Sequence, residues 1–268
     1  MIVSNENGLF LMRHTQLGER DWRNDECYKI IFSPFGDGVY QTSIGDIAVN
    51  QGSFFIFNPN VAHRQLKAGS EKLLVELNPS LLSQAADQIG AHRRAPEFSY
   101  IPYKHPQFLQ WILLVRDFII HQSPGSSAAQ QFFDHSLTQL AILMMQYGPG
   151  SNLRMFPSTS KEGPVKAVIE ALKESFTCQW SLDQMAQVAK VNKYQLSHFF
   201  KEETGLSPYL WLQLYRLFHS QKFLAYTNKT IVSIALDHGF SSVAAYNHLF
   251  KKVYRKTPTE FRKIHGYT

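Results

Sequence analysis

Two stretches of this chain repeat one pattern at a fixed separation. His198-Phe199-Phe200-Lys201 is followed by Ser207-Pro208, and His248-Leu249-Phe250-Lys251 by Thr257-Pro258, each position displaced by 50 residues. Upstream, Met185-Ala186 matches Ile234-Ala235 at a displacement of 49. The second copy thus has one more residue between its two halves, at a turn that carries Gly239-Phe240. A pattern used twice in so short a span must encode a small unit of local structure. Its turn chemistry says which unit.

Each copy reads as a helix, a tight turn and a second helix. In the later copy the first helix covers Thr230–His238 and Gly239 ends it, because glycine takes the left-handed conformation of a helix C-terminus. Phe240 plugs the corner, and Ser241 or Ser242 caps the next helix. In the earlier copy Leu182–Ala189 is the first helix, Val191 the plug, Asn192 the cap and Tyr194–Glu203 the second helix, closed by Gly205. The second helices have two faces. Leu196, Phe199 and Phe200 face inward in one, and Tyr246, Leu249 and Phe250 in the other. Lys193, Ser197, His198 and Lys201 remain outside, as do Val243, Ala244, Asn247, His248 and Lys251. Two angled helices with an exposed polar second helix form a helix-turn-helix, whose second helix enters the major groove of DNA.

Charge supports a polyanionic partner. Residues 160–268 carry a net charge of +7 and residues 1–159 a net of −1. The basic character belongs to one part of the chain, which points to nucleic acid or an anionic membrane surface. No apolar run approaches the roughly 18 residues of a membrane span. The first residues lack the basic and apolar regions of a signal peptide, so the expected location is cytoplasmic. Cys27 and Cys178 lie far apart, which argues against a disulfide or a cysteine zinc site. Pro208–Tyr226 reads as one amphipathic helix of roughly 27 Å. Major-groove turns on one DNA face recur at about 34 Å, so this connector is suited to setting two recognition helices in neighbouring grooves.

These residues resemble the AraC/XylS transcription regulators over about 182–263. The resemblance is carried by Leu182-x-x-Met185-Ala186, Phe200-Lys201, Gly205-x-Ser207-Pro208, Arg216-Leu217, Ile234-Ala235, Gly239-Phe240-Ser241-Ser242, Phe250-Lys251-Lys252 and Thr257-Pro258-x-x-Phe261-Arg262. It implies double-stranded DNA as partner, with RNA polymerase often recruited. By motif position the base-contacting places fall on Tyr194, Ser197 and His198, and on Val243, Ala244, Asn247 and His248. This chain departs from the common pattern in having histidine, where arginine is frequent, at 198 and 248. Histidine reaches less far and offers fewer donors, which weakens bidentate guanine contacts. Asn247 is suited to adenine, and Val243 and Ala244 to thymine methyls. Phosphate contacts are expected from Lys193, Lys201, Lys251, Lys252, Arg255, Lys256, Arg262 and Lys263. Arg216 reads as a structural ion-pair residue.

The first 77 residues read as short strands: Leu9–His14, Cys27–Ser33, Val39–Ile44, Asp46–Asn50, Ser53–Asn58 and Leu73–Leu77. Gly, Pro and Asn punctuate them, as in an antiparallel barrel or sandwich. Helical patterns follow from Asn78-Pro79-Ser80 to Ile89, over Pro106–Gln122 and over Ser127–Tyr147, the last two also suited to a dimer surface. The family resemblance implies a cupin-like barrel for effector binding, and Gly45-Asp46 to His63 looks like a cupin segment. Cupin enzymes need several metal ligands; only His63 has a counterpart and no His-x-His occurs, so neither metal nor other cofactor is expected. Strand alternation offers Arg13, Tyr28, Phe32, Tyr40, Phe55, His63 and Glu76 as a pocket lining, with Trp22 near its mouth. Each also has a plainer reading as core filler or surface residue.

The expectation is therefore a two-domain α+β protein. Residues 1–150 form a cupin-like effector-binding and dimerisation domain, 151–163 a Gly/Pro/Ser-rich linker and 164–268 an all-α domain. That last domain holds helix-turn-helix units at about 182–203 and 230–254, joined by a long helix. The expected function is a dimeric, sequence-specific DNA-binding regulator, more an activator than a repressor, responsive to a sugar or other small molecule, and not an enzyme. The alternatives are a metal-dependent cupin enzyme fused to a DNA-binding domain, and a ligand-independent regulator.

Overall fold

The structure is a computed structural model that describes residues 1–43, 45–90, 96–123, 125–150 and 163–266. The chain divides into two compact units, Met1–Gly148 and Pro149–Thr268. Of the expected linker, residues 151–162 lie outside the described residues.

The first unit holds eight described strands: β1 (Ile2–Asn5), β2 (Gly8–Arg13), β3 (Tyr28–Ser33), β4 (Gly38–Thr42), β5 (Gly45–Val49), β6 (Ser53–Phe57), β7 (His63–Lys67) and β8 (Lys72–Leu77). They form two antiparallel sheets, ordered β1-β2-β8-β3-β6 and β5-β4-β7. Between the sheets lies a core of Ile31, Tyr40, Ile47, Val49, Phe55, Phe57, Leu74 and Tyr100. The strap between β2 and β3 runs beside β7 through backbone bonds Arg20 N to Gln65 O (2.9 Å) and Arg23 N to His63 O (3.0 Å). Helices α1 (Pro79–Gln88), α2 (Pro106–Ile120) and α3 (Ser127–Tyr147) follow. Asn78 caps α1 by accepting from Ser80 N, and Ser126 caps α3 by accepting from Ala129 N.

Helix α2 covers the outer face of the larger sheet, and this changes the reading of the strands. Every residue of β3 is buried, because one face meets the barrel core and the other meets helices. Phe32 packs on Phe108 and Trp111, and Tyr28 meets Phe98 edge-on while its hydroxyl donates to Pro96 O at 2.7 Å. Tyr28 and Phe32 therefore belong to the helix side and do not line the barrel. Their odd-numbered neighbours, Lys29 and Ile31, do. Glu76, offered as a lining residue with a surface position as its alternative, shares the face of Leu74 and ion-pairs with Lys29 at 3.3 Å.

The second unit is helical. It contains α4 (Pro164–Glu174), α5 (Leu182–Ala189), α6 (Lys193–Thr204), α7 (Pro208–Tyr226), α8 (Ile231–Asp237), α9 (Val243–Tyr254) and α10 (Pro258–His265). Helix α4 buries Val165, Val168, Ile169 and Leu172. Helix α7 is the centre of the unit. It holds α6 through the edge-on pair Phe200–Trp211 (6.2 Å) and α9 through Ser220 Oγ to Tyr246 OH (2.8 Å) and Gln221 to Tyr254. These grips lie about 15 Å apart along the α7 axis. The spacing of α6 and α9 is thus set by how they project from α7 as well as by its length.

Candidate nucleic-acid interface and barrel interior

Both repeats fold as helix, turn and helix. In the first, Ser181 and Gln184 form a reciprocal capping box at the start of α5. Asn192 accepts from Tyr194 N and Gln195 N, while Gln195 returns a bond to the Asn192 backbone. Such caps satisfy N–H groups that have no partner inside the helix. In the second, Thr230 caps α8 and Ser242 caps α9 by accepting from Ala245 N at 3.1 Å. Between them Gly239 has φ +80°, and a Cβ there would lie 2.5 Å from Thr177 O. Phe240 is buried and meets Tyr246 edge-on at 4.9 Å.

Arg216 explains why Thr177 is so close. Its guanidinium is 1% exposed and donates to Phe176 O and Cys178 O, both at 2.6 Å. It is a structural residue as expected, but its partners are backbone carbonyls and not a carboxylate. The loop 176–178 is thereby clamped from α7 and pressed on the turn of the second repeat. His219 and His238 lie against Phe176 as well. Burial, with Lys222 and His238 nearby, pushes His219 down to about 4, and burial also lowers His238 despite its bond to Ile234 O.

The outer faces of α6 and α9 carry the expected recognition residues. Tyr194 is 79% exposed. His198, Ala244, Asn247 and His248 are exposed, and Ser197 and Val243 are half-buried. Two of these have intramolecular engagements. Ser197 Oγ donates to Lys193 O at 2.9 Å, and His198 Nε2 lies 3.7 Å from Glu202. Among the cations, Lys201, Lys251, Lys252 and Lys263 are exposed, and Arg255 and Lys256 are half-buried. Lys193 is exposed and pairs with Asp183 at 3.7 Å. Arg262 donates to Leu224 O (3.2 Å) and Lys229 O (2.7 Å), so its guanidinium ties α10 to the end of α7.

A family model described as a helix-turn-helix domain matches residues 185–264, the span that holds both repeats. The C-terminal unit is an AraC-type helix-turn-helix domain. Among relatives of this AraC-type unit, the regulator MtrA of Neisseria gonorrhoeae is 32% identical over 88 residues, 33% of this chain and 29% of MtrA. An HTH-type transcriptional regulator of Staphylococcus aureus is 25% identical over 215 residues, 80% of this chain and 28% of that protein. The chain thus spans less than a third of these relatives' length. A solved structure of ToxT from Vibrio cholerae aligns over 98% of this chain and 100% of its own, at 12% identity and a TM-score of 0.37. The DNA-binding domain of AdpA, solved with a target DNA, aligns over 38% of this chain and 93% of its own, at 22% identity and a TM-score of 0.37.

In the barrel, Tyr40 and Phe55 are core residues and Trp22 is exposed outside, under the Arg64 guanidinium at 5.4 Å. Arg13 is half-buried at the end of β2. His63 stacks on Phe57 at 4.0 Å. Its Nδ1 donates to Val61 O at 2.7 Å and its Nε2 lies 3.4 Å from Lys29 Nζ, which can only donate. Both ring nitrogens are thus engaged by a neutral imidazole, and burial pushes its pKa down to about 4. Lys29, 1% exposed, also pairs with Asp25 and Glu76. Burial raises the Asp25 pKa, but its bond to Lys29 and the charges of Lys29, His63 and Arg23 together outweigh that and leave it lowered. Among the described residues no group of three or more His, Cys, Asp or Glu side chains is placed to hold a metal.

Sequence reasoning found His63 and Glu76 but missed Lys29, Asp25, Lys72 and Gln65, the other polar residues placed with them. The available signal was the cross-strand register: Lys29 faces Glu76, opposite charges on paired strands.

Proposed function

We propose that the chain is a sequence-specific DNA-binding transcription regulator. The observation that supports this reading is the duplicated helix-turn-helix with exposed, polar second helices within residues 160–268, which carry a net charge of +7. Helices α6 and α9 enter successive turns of the major groove, and one chain reads a bipartite site. Asn247 and His248 meet base edges from α9, and Tyr194 and His198 from α6. Lys201, Lys251, Lys252 and Lys263 meet phosphates. MtrA and the Staphylococcus protein are named as transcriptional regulators, in agreement with this role.

The barrel of the first unit binds a small effector, and its occupancy changes the affinity for DNA. The chain acts in the cytoplasm as a homodimer through α2 and α3, where Leu114 and Ile142 leave apolar surface exposed. It works as an activator through contact with RNA polymerase. In vitro selection from random duplexes with the full chain tests the central claim. The expected product is one enriched motif with two elements about 10 base pairs apart. Recovery of unrelated sequences at equal affinity would defeat it.

A further inference from the structure

The barrel interior makes two unmet demands of opposite chemistry. The first is a cation cluster with no carboxylate at ion-pair distance, Asp25 acting on Arg23 only from further away. Lys72 of β8 stands in register with Arg13 of β2, on the inward face shared with Leu74, and is 6% exposed. Among the described residues no carboxylate pairs with Lys72, Arg13, Arg20 or Arg23. Arg13 and Arg20 share the neutral Gln16 Oε1 at a solvent-exposed site, so Lys72 is the buried member of the cluster. The two carboxylates of this interior, Asp25 and Glu76, already hold Lys29, and Asp25 also lies 3.6 Å from His63. Burial, followed by the charges of Arg23, Lys29, Arg13 and Arg20, pushes Lys72 down to about 7. A buried ammonium among cations is unfavourable unless an anion joins it or the proton leaves.

The second demand is a buried acceptor without a donor. Gln65 is 1% exposed and faces inward from β7 with His63. Its Nε2 donates to Gly18 O at 2.7 Å, and its buried Oε1 has no hydrogen-bond partner among the described residues. Native proteins rarely leave such an atom unsatisfied without a use for it.

We propose that the barrel binds a small hydroxylated carboxylate of the sugar-acid type, its carboxylate held by Lys72 and Arg13 beside Arg20 and Arg23, and a hydroxyl donated to Gln65. This rests on the reading of the barrel as an effector site and specifies the effector's chemistry.

Calorimetric titration of the full chain with galacturonate, gluconate and glucarate, beside galactose and glucose at matched ionic strength, tests it. At least one acid should bind about ten-fold or more tightly than its neutral counterpart, and Lys72→Met should remove that preference. Lys72→Met removes an unpaired buried cation, so its thermal midpoint should not fall. At pH 8 the acid should draw a proton from the buffer, seen as a binding heat that depends on buffer ionisation enthalpy, and Lys72→Met should abolish the uptake. Failure of every acid to bind, equal affinity for the neutral sugars, or unchanged binding in Lys72→Met would overturn the proposal. A neutral sugar that binds and shifts DNA affinity would leave effector control standing and remove the anionic site. An acid held through Lys72 with no change in DNA affinity would do the reverse.

Discussion

Asn247 and His198 occupy corresponding outer faces of α9 and α6, yet their surroundings differ. Asn247 is exposed on α9, and its amide suits the paired acceptor and donor of adenine. Asn247→Ala should cost about 1–3 kcal/mol on the selected site, and much less on mismatched DNA. Equal losses on all duplexes in anisotropy titrations would refute a base-reading role. His198 has Glu202 at 3.7 Å, a carboxylate on the same exposed face. That carboxylate repels phosphate, so Glu202→Gln should strengthen binding to every duplex by roughly two- to five-fold at low salt, fading as salt rises. Lys251→Gln with Lys252→Gln should act oppositely and flatten the slope of log K against log salt by about 2. The exposed residues were legible because helical period and capping assign faces locally. The barrel lining was less so. Strand β3 is buried on both faces, so apolarity could not reveal which parity points inward, and the aromatic Tyr28 and Phe32 drew attention from Lys29.

At the scale of elements, local chemistry decided what could be read. Helices α5 and α7 run as expected, residue for residue, from the caps Ser181 and Ser207, while α6 fills the span between Asn192 and Gly205, one residue longer than expected at each end. Strands β1 and β7 escaped notice for the opposite reason. β7 is His-Arg-Gln-Leu-Lys, and its inward residues are the polar His63 and Gln65, so no apolar alternation announces it. The turn at Gly239 combines local and distant causes. A positive φ favours glycine, and the approach of Thr177 O forbids a Cβ. Gly239→Ala should therefore destabilise the chain by about 2–4 kcal/mol in chemical denaturation, more than a helix cap alone contributes. Arg216 is the reason the approach exists, a dependence no local pattern carries, since its partners lie about 40 residues upstream.

Across the whole molecule, the two units share one acid-sensitive feature. Each buries histidines in neutral form: His63 and His105 in the first, His219 and His238 in the second. Burial leads the lowering in all four, and brings His63, His105 and His219 to about 4. The unfolded chain protonates these groups near 6.5, so between about pH 6.5 and 4 it binds more protons than the folded chain. Stability gained from neutral burial is complete above that window and is lost as the pH falls through it. In Lys72→Met, which removes the ammonium that itself titrates near pH 7, the thermal midpoint should hold steady from pH 8 to 7 and then fall by roughly several degrees towards pH 5. His63 has a partner that sharpens the test. Its Nε2 accepts from Lys29, which a protonated ring cannot do, so acid sets two cations face to face beside Asp25. His63→Gln keeps an acceptor for Lys29 and removes the proton-binding ring, and should recover part of the acid loss while leaving neutral-pH stability nearly unchanged. An acid profile identical to the unsubstituted chain would show that His63 titrates as freely folded as unfolded, and that its contact with Lys29 does not hold in solution.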